Sequence, residues 1–263
     1  MSKAVVRRPH ICFERIIPDA QDTEKHVRRL LSSAMVSAST RGKRLSADEV
    51  VHVTRMALVA SKCWRPGHVL RCRFLDGSAK MQRKVRELCK EWETYANVGI
   101  SFVSRGAADV RISFHADDGS WSAVGRDALN STYFPAHQPT MNFGWVRDDS
   151  DPVEDRAVIL HEFGHALGCI HEHQAPTFSR KWNKAAVLEY FQGAPNFWDK
   201  DDIEQNVLEK YSPRGIKASV FDPKSIMLYA FGAELFADGK GATNENSQLS
   251  PTDRTMIRQL YPA

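Results

Sequence analysis

His161-Glu162-Phe163-Gly164-His165-Ala166-Leu167-Gly168-Cys169-Ile170-His171 is the stretch on which the reading of this chain turns. Its first five residues are an HExxH. His161 and His165 are one helical turn apart, so a helix puts both imidazoles on one face. Glu162 falls beside them, where a water on a bound metal can reach it. Gly168 can turn the chain out of the helix, through a positive φ if needed, and bring His171 back as a third nitrogen. Neutral imidazoles with one position left open are the donor set of a catalytic zinc ion, not of a closed structural one. One Zn2+ on His161, His165 and His171 is therefore expected, with Glu162 as general base.

Val158, Ile159, Phe163, Ala166 and Leu167 supply the buried side of that helix, and the polar loop Arg147 to Asp155 leads into it. Upstream, alternation predicts strands at Val69 to Leu75, Ile100 to Val103 and Val110 to Phe114, with an amphipathic helix over Ala79 to Ala96. Ser120 to Gly125 reads as an edge strand and Met141 to Val146 as a further strand. The order predicts a mixed sheet with helices packed on it, an α+β arrangement. Downstream, helices are expected at Lys184 to Phe191 and Asp201 to Tyr211, then a loop from Gly232 to Gln248. Ser250-Pro251-Thr252-Asp253 caps a last helix to Leu260.

Ahead of this body the chain reads differently. Residues 1–20 form an arm. Asp22 or Thr23 starts a helix to Ser37, and Ser46-Ala47-Asp48-Glu49 caps another. The expected division is a helical extension or prosegment at 1–63 and a body at 64–263. The body splits into an upper lobe, 64–168, and a lower lobe, 169–263. Within the extension, Cys63 and Asp48 are the side chains considered for a metal-directed role.

Bulk properties narrow the classes. Of 263 residues, 42% are hydrophobic and 26% charged, ordinary values for a globular chain. The net charge of +4 conceals an asymmetry. Residues 1–90 hold 20 Lys/Arg against 8 Asp/Glu, and the remainder 16 against 24. A basic front half can face nucleic acid or the acidic half of its own chain. No zinc finger, RNP-like string or phosphate loop supports nucleic acid, which is ranked low. The five cysteines, an odd number with no CxxC, make no disulfide framework. Neither a signal peptide nor a membrane span is read from the opening, so a cytoplasmic monomer is expected, with leaderless secretion as the alternative.

HExxHxxGxxH, Glu172 directly after the third histidine, and Ser225-Ile226-Met227-Leu228-Tyr229 together resemble the astacin family of the metzincin clan. Trp121-Ser122-Ala123-Val124-Gly125 is similar to that family's cleft-side strand. The resemblance spans about residues 65–263, and Leu228 departs from the family's usual histidine. It implies a metzincin-like zincin fold. The upper lobe would hold a mixed twisted sheet and two long helices, the C-terminal lobe would be mostly loops and helices, and the zinc cleft would lie between them. It also implies a zinc-dependent endopeptidase acting on peptide or protein substrates. Met227 would be the apolar floor under the metal, and Tyr229 a fifth ligand that stabilises the oxyanion. Glu172 would meet a processed N-terminus or a side chain of the basic front segment. Ser120, Trp121 and Ser122 would receive an extended substrate, with Trp121 reading equally well as core. His173 reads as a neighbour of the site or as surface. The other readings are a metallohydrolase of a non-protein amide, and a latent or non-catalytic binding protein that retains the fold.

Overall fold

Alternation decides the sheet. Along Val69–Phe74 (β2), Leu70 and Cys72 are buried while Val69 faces solvent, the period-two pattern of a strand with one covered face. The computed structural model of the protein describes residues 12–15, 62–175, 177–193, 196–210 and 221–263. The helices expected at 22–37 and after Ser46 lie outside these residues. In the same sheet run Gly99–Phe102 (β3), Val110–Ser113 (β4), Ser120–Ala123 (β5) and Met141–Phe143 (β6). A short strand from the front of the chain, Phe13–Arg15 (β1), completes a six-stranded sheet ordered β1-β5-β6-β4-β2-β3.

All neighbours pair in parallel except β5 with β6, which run antiparallel. The expectation that β5 would be a free edge is corrected. β1 pairs along its outer side, with Phe13 opposite Trp121 and Arg15 opposite Ala123. An unpaired strand edge attracts another strand, and here the chain supplies its own.

Two helices cover the sheet. Ala79–Leu88 (α1) starts at Ser78, whose hydroxyl accepts from the Met81 N–H. It gives way to a tighter 3-10 turn, Cys89–Thr94, that buries Trp92. Pro152–Ala166 (α2) starts at Asp151, whose carboxylate accepts from Val153 and Glu154 N–H, with Pro152 in the first turn where its missing N–H costs nothing. From Ile159 to Ala166 every residue of α2 is buried. The helix lies between the sheet and the lower lobe, so its second half is covered on every side, polar residues included.

The upper core gathers Leu70, Val85, Trp92, Ile112, Phe143 and Phe163. A second core, below α2, gathers Phe178, Phe191, Ile203, Phe231 and Phe236. The helix Lys184–Gln192 (α3) and the short Lys200–Ile203 (α4), which continues as one π-helical turn, build that lower lobe. The last helix, Pro251–Leu260 (α5), starts with the Ser250/Asp253 capping box. It returns to the upper core through Ile257 and Tyr261. The fold is thus two-lobed α+β, with a mixed sheet above, helices and loops below, and a cleft between the lobes at α2. No helix among the described residues is long and apolar enough to cross a membrane.

Candidate metal centre

α2 ends where the sequence places its glycine. Gly168 has φ +90°, and its N–H donates to the His165 carbonyl at 2.7 Å. The left-handed turn redirects the chain so that His171 returns beneath the helix. The carbonyls freed at the helix end are satisfied from elsewhere: Trp64 Nε1 donates to Ala166 O at 2.8 Å and Tyr261 Oη to Leu167 O at 2.7 Å.

His161, His165 and His171 are all buried, and their outer nitrogens are spoken for. His161 Nδ1 meets Ile226 O at 2.7 Å, His165 Nδ1 meets Cys169 O at 2.9 Å, and His171 Nδ1 meets Gln174 Oε1 at 3.1 Å. Acceptors on those sides hold the proton on Nδ1 and leave each Nε2 with a lone pair directed inward. The lone pairs converge. His165 Nε2 lies 3.1 Å from His161 Nε2 and 3.0 Å from His171 Nε2. Burial pushes the His171 pKa well down, and the neighbouring His161 adds to this while the Gln174 contact opposes it.

A fourth donor joins them, and it comes from far away in sequence. Cys12 Sγ lies 3.1, 3.6 and 3.3 Å from the Nε2 atoms of His161, His165 and His171. The four donor atoms all lie within 4.8 Å of one another. Zn–N bonds of about 2.0–2.1 Å and a Zn–S bond of about 2.3 Å put tetrahedral donors about 3.3–3.6 Å apart. The spacing and the chemistry of this set therefore fit one zinc ion, and three converging lone pairs beside a thiol need a cation to be stable.

This geometry corrects the expected mechanism. Three histidines with an open position for water, Glu162 as base and Tyr229 as oxyanion donor would make an endopeptidase. Among the described residues the converging donors instead number three imidazoles and one thiol, without a carboxylate. Sγ takes the place reserved for the water. Tyr229 is engaged with the same cysteine: its hydroxyl donates to Cys12 O at 2.8 Å, lies 3.1 Å from Cys12 Sγ, and contacts His171 Nε2. Glu162 is buried at the adjoining hollow that Cys12, His161 and Tyr229 also line. The described form is not an open hydrolytic centre.

The remaining candidates take these positions. Met227 is buried under α2, close enough that a Cβ on Gly164 would lie 2.4 Å from its sulfur. Its turn is held from both sides. Asp253 accepts from Ser225 Oγ and Ile226 N–H, and Glu172 N–H donates to Met227 O at 3.0 Å. The Glu172 carboxylate accepts from Asp222 N–H at 2.8 Å. Burial, with smaller contributions from the Asp253 and Asp222 carboxylates, raises its pKa to about 7 against the pull of the Asp222 N–H. His173 is wholly buried beside Tyr229, its Nε2 at 3.1 Å from Asn206 O, and is not a member of the donor set. Ser120, Trp121 and Ser122 are all buried in β5, and Trp121 packs on Phe134 while donating to Asp118 at 2.8 Å.

Cys63, considered for a metal-directed role, instead packs beneath the end of α2 and donates to Leu167 O; Asp48 lies outside the described residues. Cys12 was the residue missed. Its one sequence signal was a lone cysteine in an arm rich in arginine, part of an odd total.

Comparison with known proteins agrees with the fold. The matrixin family profile matches residues 73–184. Human matrix metalloproteinase-19 is 28% identical over 142 residues, 49% of this chain and 26% of the relative. The chain spans about a quarter or less of the length of the curated relatives it matches. The structure of myroilysin is 37% identical, covers 78% of this chain and 98% of its own, and superposes with a TM-score of 0.74. High choriolytic enzyme 1, a hatching enzyme zinc-protease from the medaka Oryzias latipes, shares the fold at 18% identity and a TM-score of 0.52 over 77% of this chain and 95% of its own. The resemblance to astacins in particular is thereby replaced by a broader kinship that leans toward the matrixins.

Proposed function

The chain belongs to the metzincin superfamily of zinc-metallopeptidase-like folds, and we propose that in the described form it is a latent zinc protein whose metal centre its own Cys12 keeps closed. One observation carries this reading: Cys12 Sγ lies 3.1–3.6 Å from all three Nε2 atoms. His161, His165, His171 and Cys12 would hold the ion, and a bound zinc would supply the positive charge that keeps the sulfur as thiolate. Four protein donors complete a tetrahedron, the composition of a closed site. Tyr229 fixes the backbone of Cys12, so the sulfur is delivered by a held chain and not by a loose one.

The run of chain after Cys12 supports the same reading. β1 follows it directly and covers the outer side of β5. A single stretch thus closes both the metal centre and the sheet edge. On this reading residues 1–63 act as an inhibitory arm on the body at 64–263. Met227 and Glu172 hold the turn beneath the histidines.

Metal analysis of the full chain, with cobalt exchanged for zinc, tests the proposal. We expect one ion per chain and a thiolate-to-cobalt charge-transfer band that disappears in Cys12→Ser. No such band in the unmodified chain, or rapid alkylation of Cys12 with the metal still bound, would reject it.

A further inference from the structure

Arg111, on β4, is a buried cation bonded only to neutral groups. It is 7% exposed. Its Nε donates to Gln138 O at 2.7 Å, and its Nη2 to Phe134 O at 3.0 Å and Pro135 O at 3.4 Å. Arginine is seldom buried this far without a paired charge. Its register partner on β2 is instead a second cation, Arg73. Like charges directly opposite on neighbouring strands disfavour the pairing. Burial and then the Arg73 charge lower the Arg111 pKa.

Arg71, two residues before Arg73, shares its side of the sheet. That side faces away from α1 and α2, because Leu70, Cys72, Val110 and Ile112 turn the other side into the upper core. Arg73 Nη1 donates to Gly106 O at 2.7 Å, and a Cβ on Gly106 would lie 3.8 Å from Arg71 Nη2. Both guanidinium groups therefore flank one residue. Among the described residues no carboxylate forms an ion pair with Arg71, Arg73 or Arg111. The two acids near these strands are engaged elsewhere. Asp109 accepts from Arg71 N–H at 2.9 Å and meets His68 Nε2 at 3.2 Å. Asp76 accepts from Phe114 N–H at 2.8 Å and meets His115 at 3.1 Å.

We propose that Arg71, Arg73 and Arg111 form a site for one free tetrahedral oxyanion, inorganic phosphate, on the outer face of the sheet. A guanidinium offers paired N–H groups in a fork that fits two oxygens of a phosphate, and the anion relieves the repulsion between the facing arginines. Arg111 contributes Nη1, since its printed bonds use only Nε and Nη2. Arg73 holds the β3–β4 connection at Gly106, and Arg111 holds the β5–β6 connection at residues 134, 135 and 138. A phosphate between the two would tie both connections to the sheet. A small ion is the fitting occupant, because Arg111 is fixed at the floor by three carbonyls and presents one edge, whereas a long polyanion needs a row of exposed cations. The site lies on the opposite side of the sheet from α2 and does not rest on the zinc reading.

Calorimetric titration of inorganic phosphate into the full chain, at an ionic strength fixed with sodium chloride, tests the site. One phosphate per chain is expected, with a melting midpoint that rises as the site fills. Arg73→Gln and Arg71→Gln should each weaken binding about tenfold. Arg83→Gln, exposed on α1, should leave it unchanged. Arg111 is left intact because it also anchors the β5–β6 connection. The chain stripped of metal should bind phosphate as well as the loaded one. Loss of binding with the metal would place the phosphate at the metal centre and overturn the proposal. So would the absence of saturable binding, indifference to both Arg71→Gln and Arg73→Gln, equal weakening by Arg83→Gln, or binding of phenyl phosphate without inorganic phosphate.

Discussion

Tyr229 and Cys12 are joined across the cleft by two contacts, a 2.8 Å hydrogen bond from the phenol to the Cys12 carbonyl and a 3.1 Å approach to its sulfur. They stand 217 residues apart in sequence, and the contact ties the arm to the turn that follows Met227. Tyr229→Phe removes the only atom that can make it. A buried carbonyl then loses its donor, at a cost of about 1–3 kcal/mol. With the metal bound, alkylation of Cys12 should become faster by about tenfold or more, with unchanged circular dichroism. An unchanged rate would show that the sulfur is held by the metal alone.

Removing the metal should loosen the whole centre. Three inward lone pairs within 3.0–3.1 Å of a neighbour repel once the cation is gone. A strong chelator is expected to lower the melting midpoint by at least about 5 °C, and zinc should restore it. Thiol labelling of the apo chain should find Cys12 first. Cys63, Cys72 and Cys89, buried in the upper core, should stay protected until unfolding. Labelling of a core thiol before Cys12 would contradict this.

Gly164 is required by a close approach. A methyl group there would lie 2.4 Å from Met227 Sδ and 3.3 Å from the Trp92 ring. Gly164→Ala should therefore cost about 1–3 kcal/mol by overpacking, more than the gain from alanine's helix propensity. Met227→Ala in the same chain removes the clash and should recover part of the loss in urea unfolding. A stabilising Gly164→Ala would show that the turn beneath α2 can withdraw.

The buried thiols predict alkaline weakness. Burial pushes Cys63 and Cys89 from 9.0 up to about 12, and Cys72 well above its ordinary value. The unfolded chain loses these protons from about pH 9 while the folded chain keeps them. A raised acid pKa therefore contributes stability that is complete below about pH 9 and falls as pH rises toward 12. Each thiol adds a slope of up to about 1.4 kcal/mol per pH unit. Urea midpoints at pH 8 and pH 10.5 should differ accordingly, and Cys89→Ala should reduce the difference. Equal midpoints would mean that the thiols are wetter than their burial implies.

How much of this was readable from the chain alone follows the range of each interaction. The helix that spaces His161 and His165 and the glycine that ends it are local. Hydrophobic periodicity and a glycine able to take a positive φ at 168 act over a few residues, so they show in the sequence, whereas the Asp151 cap falls inside the stretch read as a loop, Arg147 to Asp155, and α2 starts earlier than expected. The mixed sheet and the α+β class follow from the same short-range patterns. The helix expected over Ala79 to Ala96 shortens to α1 and a 3-10 turn, on which Trp92 is buried with its indole donating to Leu160 O at 3.1 Å.

What tertiary structure alone decided is the state of the site. By itself the sequence determined a helix with two histidines on one face, a turn that returns a third, and a methionine-bearing turn downstream. No spacing rule relates Cys12 to His161, because the contact spans 149 residues. The pairing of β1 on β5 is equally non-local, and it turned an expected substrate edge into an internal strand. Local sequence can specify which donors exist and which way their own element points them. Whether a position between them stays open depends on which distant chain packs into it, and only the folded chain specifies that.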